Sequence, residues 1–210
     1  MTRILIARHG NTFEKHETPT RVGRRTDISL VGSGRRQAEE LGKFLKENYE
    51  SIAAVFSSRL KRTIETAELA LRSAQYGMAV QQMLIFDEID YGPDEGKTED
   101  EVVSRLGRKA LQDWDRDAVV PSGWLLNPEE IIQNWRGFAE MVSDQYSGET
   151  VLVVTSNGIA RFAPYLTGNM ETFKQHYAIK ISTGAVCSLV KSTPDWKAEY
   201  WNLKGQVKLV

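Results

Sequence analysis

Apolar positions along the chain follow two rhythms. Three short continuous runs rich in Ile and Val, "RILIA" (3–7), "IAAVF" (52–56) and "VLVVT" (151–155), read as strands covered on both faces. After the first, "GRRQAEELGKFLKENY" (34–49) sets Ala38, Leu41, Leu45 and Tyr49 on one helical stripe. After the second, "LKRTIETAELALRSA" (60–74) does the same with Leu60, Ile64, Ala67 and Leu71. Strand, helix, strand, helix predicts an α/β fold with a mostly parallel sheet and helices on both faces.

From about 86 to 148 the rhythm changes. Two polar helical patterns, "TEDEVVSRLGRKALQDWDRD" and "PEEIIQNWRGFAEMVSDQY", are joined by "AVVPSGWLLN" with no strong strand between them. This predicts a helical excursion packed beside the sheet. The chain returns through "VLVVT", a helix over about 158–167, a short helix at "METFKQHY", and two late strands, "GAVCSLV" and "WKAEYWNL", read as an antiparallel edge hairpin. No internal repeat, low-complexity tract or linker interrupts the chain, so one domain over 1–210 is expected.

Composition narrows the function. With 210 residues, 41% hydrophobic and 26% charged, the chain is long enough for a sizeable core. Its 27 basic and 28 acidic residues leave a net charge of -1, so no global field draws nucleic acid or an anionic membrane, and neither is expected as a partner. Any anion must be held locally. No run approaches the roughly 20 apolar residues of a membrane span, and "MTRILIARHG" reaches charge and glycine too soon for a signal peptide, so a cytoplasmic location is expected. Cys187, in "AVCSLV", reads as a buried strand thiol. His9, His16 and His176 form no ligand-spaced cluster, and no metal site is expected.

In open parallel sheets ligands sit beyond the carboxyl ends of the strands. Here those ends carry Arg8-His9-Gly10-Asn11-Thr12, Ser57-Ser58-Arg59-Leu60-Lys61-Arg62 and Ser156-Asn157-Gly158. Guanidinium forks match phosphate oxygens, and glycine lets backbone N–H groups approach an anion, so the set suits a phosphate pocket. An unprotonated His9 in such a pocket is a competent nucleophile, its pKa lowered by neighbouring Arg charges, and phosphohistidine is the expected intermediate. Taken singly, each motif has a plainer reading. "RHG" is a structural strand end, "SSRLKR" a helix cap and "SNG" a turn. Their coincidence at three strand ends is what points to chemistry.

In this arrangement the chain resembles the histidine phosphatase, or phosphoglycerate-mutase-like, superfamily. "ARHGNT" is similar to its first signature, which implies His9 as the phosphorylated nucleophile and Arg8 as a phosphate ligand. "SSRLKRTIETA" is similar to its second, which implies Arg62 as the pocket arginine with Thr66-Ala67 packing the helix. "FDEIDYGPDEGKTEDEV" resembles its acid loop, which implies Glu88 as proton donor to the leaving oxygen. On its own Glu88 reads as one member of a solvated acidic loop. The fold implied is an α/β sandwich, a mostly parallel sheet of about six strands with the excursion as a cap. Longer mutase members follow the first signature with a serine and a tryptophan-asparagine segment, whereas this chain has Asn11-Thr12-Phe13-Glu14-Lys15-His16, which favours phosphatase over mutase.

The third signature departs from the family. Where the family has serine-histidine-glycine, "VLVVTSNGIAR" has Asn157. A neutral amide can donate a hydrogen bond but cannot gain a proton, and losing one such catalytic donor typically costs about 100- to 1000-fold in rate. Three explanations stand: a natural phosphatase whose missing contact comes from elsewhere, a phospholigand-binding pseudophosphatase, or an engineered replacement that traps substrate or phosphoenzyme.

The expected site is His9 and Glu88 for chemistry, with Arg8, Asn11, Arg62, Asn157 and Gly158 on the phosphoryl oxygens, a small phosphorylated metabolite as substrate and no cofactor. "TRVGRRTD" offers a substrate loop with Arg21 and Gly23, and Arg24 and Arg25 beside them; its plain reading is a solvated basic loop. Trp124 and Trp135 have two readings, substrate entrance or packing. His16 and His176 read as ordinary loop and helix residues.

Overall fold

The computed structural model describes residues 1–204 and 209. The three apolar runs form β1 (Arg3–Arg8), β2 (Ala54–Ser57) and β4 (Thr150–Thr155). They lie at the centre of a six-stranded sheet of order β3-β2-β4-β1-β5-β6, where β3 is Val80–Gln82, β5 Val186–Lys191 and β6 Trp196–Leu203. β1, β2, β3 and β4 pair in parallel, while β5 and β6 run antiparallel as the expected hairpin at one edge. β3 has no counterpart in the sequence reading, because "VQQ" is short, polar and exposed. Pairing with β2 defines it as a strand.

Strand side chains alternate between two apolar layers. Leu5, Ala7, Val55, Leu152 and Val154 face α1 (Gly32–Asn48) and α2 (Lys61–Ala74). Ile4, Ile6, Phe56, Val151 and Val153 face the other way. Burying each such branched or aromatic side chain contributes about 1.5–3 kcal/mol, so a one-residue slip of register would reverse a large sum.

The second layer corrects the reading of the excursion. Its first polar pattern is two helices, α3 (Glu99–Leu106) and α4 (Arg108–Asp117), because the chain breaks at Gly107 with φ of 80°. α3 starts on a capping box between Thr98 and Glu101. The second pattern, α5 (Pro128–Gln145), closes the sheet's second face: Phe138 meets Phe56 and Phe86 edge-on at 5.1 and 4.9 Å. Trp135 sits in this core and donates from Nε1 to the Ile159 carbonyl at 3.0 Å. Trp124 is also buried, donating to Asp94 Oδ2 at 2.7 Å. Both indoles therefore pack rather than line an entrance.

After β4 the expected helix over 158–167 is one turn, α6 (Asn157–Ala160), followed by a 3-10 segment over Ala163–Thr167. Pro164, which has no N–H to donate, sits at the change of pitch. α7 (Met170–His176) completes the chain's helices among the described residues. Cys187 is fully buried, and burial pushes its thiol pKa up. Among the described residues no helix is long and apolar enough to cross a membrane.

Candidate active site

Sheet register brings the first and third motifs together. β1 and β4 are parallel neighbours with Arg8 opposite Thr155, and the His9 N–H donates to the Thr155 carbonyl at 3.0 Å. His9 and Ser156-Asn157 therefore leave the sheet side by side. β2 flanks β4 on its other side with Ser57 opposite Val154, which delivers the second motif to the same rim.

The turn after β1 is packed hard against the start of α1. A Cβ on Gly10 would lie 2.3 Å from the Gly34 carbonyl oxygen, and one on Gly34 would lie 2.1 Å from that of Asn11. The Gly10 N–H donates to Thr66 Oγ1 on α2 at 3.1 Å. With its backbone held this way, His9 is 5% exposed, and its Nδ1 lies 2.7 Å from the Gly10 carbonyl. A carbonyl only accepts, so Nδ1 carries the proton and Nε2 presents its lone pair. Burial first, then the charges of Arg62 and Arg8, hold the His9 pKa well below its ordinary 6.5.

That depression sets a pH dependence. Below about pH 6.5 the unfolded chain protonates this histidine while the folded protein holds it neutral, so the unfolded state binds more protons. Stability then falls as pH drops from 6.5 toward the depressed value and levels off beneath it. Urea unfolding between pH 7 and about 5 should show His9→Gln losing less stability than the wild type over that window. Parallel losses would show that the ring is not held neutral.

Glu88 is 3% exposed and collects three donors. Its Oε1 accepts from the Ile89 N–H at 2.9 Å, and its Oε2 accepts from the Gly158 N–H at 3.2 Å and the Tyr91 hydroxyl at 3.4 Å. Gly158 is required here: a Cβ would fall 2.2 Å from Glu88 Oε1. Its N–H is thus engaged by Glu88, which corrects the expectation that it faces a phosphoryl oxygen. Asp87 braces the same loop, accepting from the Arg59 N–H, Nε and Nη2 at 2.8, 2.9 and 2.6 Å.

Asn157 opens α6. Its Oδ1 accepts the Ile181 N–H at 2.8 Å, which fixes the amide flip and leaves Nδ2 as the group available to the cavity. The Ile181 carbonyl in turn accepts from Arg8 Nη1 at 2.7 Å. The backbone of one residue therefore orients both side chains. Asn11 is held from the same segment, since Thr183 Oγ1 donates to its Oδ1 at 2.5 Å, while its Nδ2 donates to Ser33 Oγ at 3.3 Å.

Arg62 is fully buried, donating to the carbonyls of Thr26, Gly23 and Val22 at 2.8, 3.2 and 3.4 Å. Buried Nε atoms of both Arg8 and Arg62 have no hydrogen-bond partner among the described residues. Two orphaned guanidinium donors flanking His9 are an unfilled demand for an anion.

Arg8, His9, Asn11, Arg21, Glu88 and Asn157 line one cavity of about 770 Å³. Arg62, Gly158 and Gly23 stand behind its wall. Gly23 is pressed against Glu95 Oε2 and the Ile89 carbonyl, 2.5 and 2.9 Å from where a Cβ would be. Arg21 pairs with Glu99 at 2.6 Å and lies over the Trp124 ring at 5.2 Å. Arg24 and Arg25 do not face the cavity: Arg24 donates to the Glu88 carbonyl at 3.1 Å, and Arg25 to Asp90 and Gly92, so both steady the acid loop. His16 and His176 are exposed. Trp114, Asp115, Arg161, Lys180 and Thr183 also line the cavity and were not singled out in the sequence. Of these only Arg161 carried a signal, being the charge that follows the third motif by four residues.

Known proteins resemble the chain in sequence and in fold. Residues 4–204 match the family model described as "Histidine phosphatase superfamily (branch 1)". The phosphoglycerate mutase of Candida albicans is 30% identical over 122 residues, 58% of this chain and 48% of that protein, so the chain spans about half its length. The 2,3-bisphosphoglycerate-dependent phosphoglycerate mutase of Blochmanniella pennsylvanica is 27% identical over 79% of this chain and 70% of its own. Among solved structures, the mycobacterial glucosyl-3-phosphoglycerate phosphatase in complex with VO3 superposes with a TM-score of 0.80 at 19% identity, covering 97% of this chain and 100% of that one, a likeness of fold.

Proposed function

The chain belongs to the histidine phosphatase superfamily (branch 1), and from that premise we propose that it hydrolyses phosphomonoesters of small metabolites through phosphohistidine. The observation that carries the reading is His9, buried, neutral and with Nδ1 committed to a carbonyl, beside two guanidinium groups with unpartnered donors. In the first step Nε2 forms a bond to phosphorus, the ester P–O bond breaks, and the departing oxygen takes a proton from Glu88. In the second, water attacks phosphorus, the P–N bond breaks, inorganic phosphate leaves, and Glu88 recovers the proton. Arg8, Asn11 and the Nδ2 of Asn157 hold the phosphoryl oxygens as charge moves across them, and the buried Arg62 adds its positive charge from behind the wall. Side chains supply all of this, so the scheme uses no metal or organic cofactor.

Hydrolysis is favoured over mutase transfer by Asn11–His16, which departs from the mutase pattern. A cytoplasmic setting belongs to the same proposal and is checked by fractionation. The neutral Asn157 favours a second reading, a phospholigand-binding protein without turnover. Phosphate release from a panel of monoesters, wild type against His9→Ala, separates the two. Equal inertness with phosphate binding retained would favour the binding protein.

The proton role of Glu88 has its own signature. Glu88→Gln should lower kcat/KM for alkyl phosphates by about 100-fold while changing p-nitrophenyl phosphate hydrolysis little, because p-nitrophenolate leaves without a proton. Equal losses on both substrates would remove Glu88 from the acid role.

A further inference from the structure

Arg161 is the most deeply buried cation on the cavity wall that the proposed chemistry leaves unused. It is 1% exposed, and a guanidinium is buried at a cost that must be met by partners. Two backbone carbonyls meet part of it. Nη1 donates to Trp114 O at 2.5 Å, and Nε donates to Asn157 O, four residues back, at 3.3 Å. The guanidinium carbon sits over the Trp114 ring, 3.9 Å from its centroid. Nη2 makes no hydrogen bond among the described residues, and its carboxylate neighbour, Asp115 Oδ1, stands 3.7 Å away. Asp115 is itself 41% exposed and gives its other oxygen to Lys180 at 2.6 Å. Burial lowers the Arg161 pKa, and the nearby Asp115 and Glu88 carboxyls act against that.

The neighbouring residue explains what this cation is for. Asn157 presents a neutral amide to the cavity, and the guanidinium of Arg161, which lines the same cavity, is tied to the Asn157 backbone carbonyl. We propose that Arg161 is a further phosphoryl-binding residue, its Nη2 donating to an oxygen of the bound group, so that hydrogen bond and positive charge at this corner come from two side chains, Asn157 and Arg161. This deepens the phosphatase reading, since it names a ligand contact in the same pocket. A guanidinium does not titrate between pH 5 and 9, so this charge is present throughout the range.

The test is inorganic phosphate binding by calorimetry, which needs no turnover and so separates this proposal from the catalytic one. Arg161→Gln should weaken phosphate by roughly 10- to 100-fold, as expected for a lost hydrogen bond to a charged group, while Arg161→Lys, which keeps charge but loses both carbonyl anchors, should stay within about threefold of wild type. Arg161→Met, which keeps packing on Trp114, serves if the glutamine variant fails to fold, and should match its expected loss. Unchanged binding in the uncharged variants, or equal weakening in Lys and Gln or Met, would mean that Arg161 only ties α4 to α6 and would overturn the proposal. Loss of phosphate by the uncharged variants in a protein that hydrolyses nothing would uphold it while refuting turnover.

Discussion

His9→Ala is expected to reduce phosphomonoester hydrolysis by at least about ten-thousandfold, the scale on which removing a covalent nucleophile acts. No other imidazole is placed to substitute, because His16 and His176 are exposed on a loop and a helix and neither lines the cavity. Rapid quench with labelled substrate should trap an acid-labile, base-stable phosphoenzyme in the wild type and none in the variant. A phosphoenzyme that survives His9→Ala would move the nucleophile elsewhere. Because Arg8, Arg62 and Arg161 are untouched, the variant should still bind inorganic phosphate, so lost turnover with kept binding is the full signature.

The second large effect is expected at Asn157. Asn157→Asp keeps an oxygen to accept the Ile181 N–H but turns the donor Nδ2 into an anionic oxygen facing the phosphate site. Folding stability should change little, whereas kcat/KM should fall by about 1000-fold, a donor lost and a repulsion gained. Wild-type rates with the aspartate would show that this amide does not touch the ligand. Asn157→His tests the opposite direction. Nδ1 of the imidazole can accept the same N–H and Nε2 can donate to the phosphoryl group. A gain of about tenfold is expected, less than the 100- to 1000-fold attached to a whole donor, because Arg161 already supplies charge at that corner. A loss on introducing histidine would identify asparagine as the working residue of this pocket.

Most of what makes the sheet was readable because its central strands are covered on both faces and so appear as unbroken apolar runs. The same burial that betrayed β1, β2 and β4 hid nothing about α1 and α2, whose stripes face them. The pattern failed where neighbours rather than intrinsic preference decide the structure. β3 is a strand only because β2 offers it hydrogen bonds. The split of α3 from α4 turns on one left-handed glycine, and the place of α5 in the core turns on Phe138 finding Phe56.

The site divides the same way. His9, Arg8, Asn11, Glu88 and Asn157 stand in recognisable motifs, and the structure gathers them around one cavity. Gly158 was expected at the ligand, yet its N–H serves Glu88, because only a residue without Cβ lets that carboxyl approach. Segment 180–184 carries no motif, since much of what it contributes is backbone: the N–H and carbonyl of Ile181, which orient Asn157 and Arg8.

By itself, then, the sequence determined the layered α/β architecture, the residue types at the three strand ends and the presence of Asn157 in the third of them, because these reside in side-chain identity and local periodicity. Only the tertiary structure decided which donors remain free. That depends on hydrogen bonds between segments far apart in the chain, which leave Nε of Arg8 and Arg62 unpartnered among the described residues, aim the amide of Asn157, and anchor Arg161 to the Trp114 carbonyl.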